Sequence, residues 1–180
     1  MPVTLRPATM ADVPLLERWD AEPHVIAAAT DEPDATQAFA GAYWPDEIAM
    51  QSNVFQYYIG DLDSRPIGAM LIIDPHLEPT HYWGEIEPNL RALDIWIGEP
   101  DCLGKGYGSE MMRIALGMCF ADPRVTAAIV DPLASNERVH RFYQRLGFKP
   151  VERRILPEND DCLVHRVTRE DWMATQIRKV

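Results

Sequence analysis

Long apolar runs are missing from this 180-residue chain. No stretch approaches the roughly 18 apolar residues a membrane helix needs, and the opening MPVTLRPATMADVP has neither a basic nor an apolar leader segment. No membrane association is expected, and the cytoplasm is the expected compartment. Cysteine is scarce: Cys102, Cys119 and Cys162 form no Cys-x-x-Cys pair, which predicts small buried thiols in a reducing compartment rather than a disulfide framework. Basic residues are in deficit, 17 Lys and Arg against 28 Asp and Glu for a net charge of −11. That balance argues against nucleic acid as a partner and points to a cationic one, the alternative being acidity that only keeps the protein soluble, which charge alone supports at least as well. The histidines show no metal-ligand spacing, and Pro75 and Pro79 rule out a helical pair between His76 and His81, so no metal is expected. Repeats, low-complexity tracts and charge blocks are also lacking. With 47% hydrophobic residues, residues 1–180 read as one domain, monomeric or homodimeric.

What is present is a mixture of two periodicities. VTLRP (3–7) predicts a strand, and TMADVPLLERWD predicts a helix entered through Thr9 and Asp12 as a capping box. Pro23, Pro33 and Pro45 interrupt residues 20–53, leaving DATQAFAGAYW as the one segment able to hold a helix of any length. NVFQYYIG and RPIGAMLII predict a hairpin turning near Asp61–Ser64, and RALDIWIG a third strand. A helix follows with Tyr107, Met111, Ile114, Ala115 and Met118 on one face, stopping at Asp122-Pro123. VTAAIV predicts a buried strand, and SNERVHRFYQRLGF a helix with Val139, Phe142, Tyr143 and Leu146 inward and Gly147 as its stop. FKPVERRIL and CLVHRVT, around PENDD, predict a closing hairpin.

Gly104, Gly106 and Gly108 crowd the start of the central helix. A P-loop is excluded, because Gly106 stands where a Ser or Thr would have to reach magnesium. The dinucleotide fingerprint is a poor fit too, lacking its third-glycine spacing and lying past the middle of the chain. Both motifs rest on amide N–H groups brought close to an anion at the positive end of a helix, and LGKGYG supplies that without a basic surface. Lys105 adds one charge. The alternative is a plain strand-to-helix turn, for which one glycine ordinarily suffices.

LGKGYG, with Gly106 and Gly108 at the glycine positions, resembles the acetyl-CoA loop of the GCN5-related N-acetyltransferases (GNAT). VDPLASNERVHRFYQRLGF resembles that family's second signature. Within the family, these segments and RALD look most like the aminoglycoside 6′-N-acetyltransferases and, nearly as well, the acyltransferases of siderophore hydroxylysine. Leu103 stands where Gln or Arg is usual, and HVIAAAT (24–30) has alanines where the aminoglycoside enzymes carry acidic and tryptophan residues. The resemblance implies an α+β (α/β) fold: a mixed, mostly antiparallel sheet of about seven strands flanked by helices, splayed between the strands ending near Gly98 and Asp131. It also implies acetyl-CoA as co-substrate, with no metal, and transfer of an acetyl group to a primary amine. A non-catalytic acyl-CoA sensor on the same scaffold is the alternative from another class.

By that resemblance Leu103, Gly104, Lys105 and Gly106 form the diphosphate loop, with Tyr107, Gly108 and Ser109 as the first helical turn. Pantetheine would pair with main chain around Trp96 and Ile97 and with Asn136, which could equally be a helix cap. Asp94 resembles the family's base and Tyr143 its acid toward the thiolate. The alternatives are an Asp94 that caps backbone or pairs with Arg91, and a Tyr143 that is a core aromatic. Alternation puts Asp94 and Trp96 on one face of their strand, Ile95 and Ile97 on the other. Tyr82, Trp83, Glu85, Glu87, Asp94 and Asp131 would suit a polycation held between aromatic faces and carboxylates, the alternative being acidic side chains that are simply solvated at the surface.

Overall fold

The computed structural model describes residues 2–39, 41–157 and 161–177. The elements run β1 (Val3–Pro7), a 3-10 turn (Met10–Asp12), α1 (Val13–Asp20), α2 (Pro23–Ala29), α3 (Trp44–Ala49), β2 (Phe55–Leu62), β3 (Arg65–Ile73), β4 (Leu90–Ile97), a second 3-10 turn (Pro100–Cys102), α4 (Tyr107–Ala121), β5 (Ala127–Val130), α5 (Glu137–Arg145), β6 (Lys149–Ile155), β7 (Asp161–Thr168) and α6 (Arg169–Ile177). The strands make one seven-stranded sheet in the order β1-β2-β3-β4-β5-β7-β6. All neighbours are antiparallel except β4 and β5, which run parallel and pair only from Leu90–Ala92 to Ala127–Ile129. Beyond Ala92, β4 continues to Ile97 without β5 beside it. This is the expected splay.

Asp63 and Ser64 close the β2–β3 hairpin with φ of 49° and 66°, the left-handed pair a two-residue turn requires. The Thr9–Asp12 capping box forms as expected. Along β4 the alternation holds: Leu93, Ile95 and Ile97 pack with α4, whereas Trp96 packs with Trp19, Trp44 and Tyr57 under α1 and α3. Trp19 lies so close over Gly98 that a Cβ there would sit 2.1 Å from the indole. Only glycine admits that contact.

The expected helix over DATQAFAGAYW is not formed. The described residues of 34–39 and 41–43 are turns, bends and irregular chain, and the helices of this region are α2 and α3. Both carry proline in their first two positions, where no amide donor is needed, so Pro23 and Pro45 start helices rather than forbid them. The intervening loop folds around the buried Asp20 carboxylate, which accepts from Phe39 N at 2.8 Å, Trp44 Nε1 at 3.1 Å and Gln37 Nε2 at 3.2 Å. A helix would have spent Phe39 N–H internally. On α4 the buried stripe is Met111, Met112, Ala115, Leu116, Cys119 and Phe120, and Met118 is exposed. Apolar residues surround this helix, so periodicity could not choose the face. α6 was not anticipated. It is held by tertiary contacts: Trp172 stacks on Phe120, and the Arg169 guanidinium donates to the carbonyls of Phe120, Asp122 and Val125 at the end of α4. In the closing hairpin, residues 158–160 of the expected PENDD turn lie outside the described residues.

Candidate active site

A cavity of about 500 Å³ opens at the splay, bounded by β4, the end of β5, α2, α3, α5 and the loop before β4. Asp94 and Trp96 face it from β4, Asp131 from the end of β5, Tyr143 from α5, and Tyr82 and Trp83 from the loop. The sequence therefore brings four of its expected acceptor residues to one place. Glu85 and Glu87 are exposed and do not line the cavity, and Glu87 instead pairs with Arg166 of β7 at 2.6 Å.

Asp94 does not pair with Arg91. That guanidinium donates to Asp74 Oδ2 at 3.0 Å and Leu90 O at 2.7 Å. Burial, and then the neighbouring charge of Asp131, push the Asp94 carboxyl up to about 7. A carboxylate with that affinity can take or release a proton near neutrality. Tyr82 Oη donates to Asp131 Oδ2 at 2.9 Å and so fixes the second carboxylate. The Tyr143 phenol is raised far above its ordinary range by burial, then by Asp94 and Asp131, and stays protonated. Its ring packs on Phe142 and Phe148, centroids 5.1 and 5.5 Å away. It is a core aromatic and a cavity residue at once.

One carboxylate was missed. Glu47 on α3 lines the cavity, and its Oε2 accepts from Tyr57 Oη at 3.1 Å. No pattern singled it out, because α3 was not recognised as a helix. The wall opposite is small: Ala28 and Ala29, from the unusual alanines of HVIAAAT, line the same space.

On the far side of β4 the glycine loop runs from the Pro100–Cys102 turn through Leu103, Gly104 and Lys105 to Gly106, the N-cap of α4. Gly104 and Gly106 have φ of +70° and +89°, and a Cβ at either would meet nothing within 4 Å. Conformation, not crowding, demands those two glycines. Among the described residues, the amides of Gly104 through Ser109 donate to no acceptor of the chain. The loop thus offers bare N–H groups at a helix N-terminus with Lys105 beside them, the donor set a diphosphate fits. Gly108 is different: its Cβ would make ordinary 3.8 Å contacts with Ile95, Ile97 and Phe142. Glu99 anchors the start of the loop, accepting from Trp19 Nε1 at 2.9 Å and pairing with Arg18 and Arg65.

The β4 main chain needs one correction. Trp96 stands opposite Ala69 of β3, in step with Gly98 N donating to Ile67 O, so its amide and carbonyl serve the sheet. The groups directed into the splay belong to Ile95 and Ile97. The Ile97 carbonyl already accepts from His24 Nε2 at 2.8 Å. Asn136 does cap α5, its Oδ1 accepting from Val139 N at 3.1 Å, while its amide nitrogen meets no partner among the described residues. A model for the acetyltransferase (GNAT) domain matches residues 8–156.

The chain belongs to the GNAT acetyltransferases.

Aminoglycoside N(6′)-acetyltransferase type 1 of Klebsiella pneumoniae is 31% identical over 151 residues, 82% of this chain and 74% of that protein. Among solved structures, the aminoglycoside acetyltransferase AAC(6′)-Ib with ribostamycin and coenzyme A superposes with a TM-score of 0.83 at 28% identity, covering 98% of each chain. The same enzyme with coenzyme A and kanamycin gives a TM-score of 0.81 at 28% identity, over 97% of this chain and 99% of that one. In this GNAT protein, no helix among the described residues is long and apolar enough to cross a membrane.

Proposed function

We propose that this GNAT acetyltransferase transfers an acetyl group from acetyl-CoA to a primary amine of a small polycationic acceptor, in the manner of the aminoglycoside 6′-N-acetyltransferases it resembles. One observation carries the reading: a carboxyl of pKa about 7, Asp94, faces the same cavity as Asp131 and Tyr143. A primary ammonium titrates near ~10 and is unreactive until it loses a proton, so transfer begins with a base beside the amine. Asp94 takes that proton, directly or through water. Asp131, held by Tyr82, and Glu47, held by Tyr57, bind further ammonium groups of the acceptor. Three carboxylates suit a polycation better than the single neutral N-hydroxy amine of hydroxylysine acylation.

Acetyl-CoA supplies the activated acyl group as a thioester. The amides of residues 104–109 and Lys105 bind its diphosphate, Ile95 and Ile97 offer main-chain partners to the pantetheine arm, and the Asn136 amide nitrogen adds a donor. As the amine nitrogen bonds to the thioester carbon, the carbon–sulfur bond breaks, negative charge moves to sulfur, and the nitrogen sheds its second proton, which by way of water replaces the one Tyr143 gives up. Tyr143, kept protonated, donates a hydrogen bond to that sulfur. Because a phenol is a weaker acid than a thiol, full proton transfer to sulfur comes late. Buried thiols at Cys102 and Cys119 suit a reducing, cytoplasmic setting.

Thiol release from acetyl-CoA, measured with kanamycin, ribostamycin, spermidine and N-hydroxylysine in turn, tests the assignment. Aminoglycosides are expected to give the highest kcat/KM. Turnover with none of the four would leave the sensor reading in its place.

A further inference from the structure

His140 and His165 take no part in the reaction above, yet they lie beside one of its residues. His140 sits on α5 one turn before Tyr143, and His165 on β7. Their rings stack with centroids 5.1 Å apart and 14° between planes. His140 is 9% exposed and His165 0%. His140 Nε2 lies 3.2 Å from Ala134 O and His165 Nδ1 2.8 Å from Leu163 O. A carbonyl can only accept, so these nitrogens carry the protons and the opposite ones are bare. Those bare atoms, His140 Nδ1 and His165 Nε2, are buried without a partner. Two phenyl rings would fill the same space without stranding two acceptors.

The ring that leans on this stack is Tyr143, 6.2 Å from His165 at 44°. Its other aromatic neighbours, Phe142 and Phe148, belong to its own helix and the turn after it. Among its ring contacts, His165 is the one that ties Tyr143 to β7. In register His165 stands between Val130 of β5 and Pro150 of β6, neither of which titrates. Tyr143 faces the pair from α5, Asp131 follows Val130 at the end of β5, and the exposed Glu137 and Arg141 of α5 pair with each other. Burial first, and then His140, hold His165 below the ordinary imidazole range.

We propose that the His140–His165 stack is a positioning pair for Tyr143: it locks α5 onto β7 and aims the tyrosine hydroxyl into the cavity, and a proton on His165 releases it. A proton would place a cation against a second imidazole, and relief requires α5 to lift. The role in turnover rests on the function proposed for Tyr143. The latch itself does not.

His165→Ala removes the support, while His165→Phe keeps the ring and removes the titration. At pH 8, His165→Ala is expected to lower kcat about tenfold or more with the KM for acetyl-CoA within about twofold, and His165→Phe to bring kcat back within about threefold of wild type. Because the folded-state pKa of His165 is depressed, its contribution to stability is present above the ordinary imidazole value and lost as pH falls below it. The unfolding midpoint of wild type should therefore drop further between pH 7.5 and 5.5 than that of His165→Phe. Unchanged kcat in His165→Ala, failure of His165→Phe to restore it, or superposable midpoint curves for wild type and His165→Phe would each overturn the proposal. The unfolding comparison needs no substrate, so it judges the latch even if no acceptor is acetylated, and it decides alone if circular dichroism shows His165→Ala unfolded.

Discussion

Asp94→Asn removes the charge on which the proposed reaction turns and keeps the shape of the side chain. In the folded chain the Asp94 carboxyl sits at about 7 against an ordinary value of 3.8. A raised pKa means that folding favours the protonated form. The group's contribution is fully present below 3.8 and lost progressively as pH climbs to about 7. At about 1.4 kcal/mol per pH unit, that interval corresponds to roughly 4 kcal/mol at most, with Asp131 sharing part of it. Asparagine carries no such burden, so Asp94→Asn should be more stable than wild type at pH 8 by about 1–4 kcal/mol and equal to it near pH 4. The unfolding midpoint would rise by about 2–4 °C for each kcal/mol. Activity moves the other way: kcat/KM should fall about 10²–10⁴-fold, and the wild-type rise of kcat/KM with pH through about 7 should vanish. Paired urea melts and thiol-release assays across pH 5–9 read both. A variant less stable than wild type at pH 8, or one retaining the wild-type rate, would refute the placement of a strained base at this position.

Tyr143→Phe should lower kcat by about tenfold or more while a calorimetric titration shows unchanged affinity for acetyl-CoA; equal turnover would reduce the phenol to packing. Gly106→Val forces a β-branched residue to a φ of +89° and should abolish coenzyme binding, whereas Gly108→Ala, with open 3.8 Å contacts on a helix, should bind normally and fold about as well or up to ~1 kcal/mol better. Glu47→Gln should raise the KM for polyamino acceptors several-fold and leave that for a simple monoamine alone; an equal effect on both would argue against a second ammonium site.

The strands were legible because alternation and continuous apolar runs mark them unambiguously, and the splay followed from the glycine signature. Asp131 and Tyr143 could be named because they lie at the end of a strand and on a strongly amphipathic helix, Asp94 because alternation marks β4 around it, and Tyr82 and Trp83 because aromatic and acidic residues crowd the loop before β4. Residues 20–53 were not legible. There the structure hangs on Asp20, a buried carboxylate whose three donors are spread across the loop, and no local pattern announces a long-range bond. The same blind spot hid Glu47. Trp96 was misjudged for a subtler reason: side-chain facing and main-chain facing alternate together, so the residue that presents its ring to the cavity must turn its amide and carbonyl sideways into the sheet.

Three residues of pairing are all that sew β4 to β5 along the sheet. Asp94 stands on one leaf of this seam, Asp131 and Tyr143 on the other, so the distance between the proposed base and the proposed acid is an angle between leaves as much as a matter of rotamers. A ligand seated in the wedge acts as mortar between them. Under the proposed mechanism, catalytic alignment would thereby depend on occupancy, the cleft being squared up by what it holds.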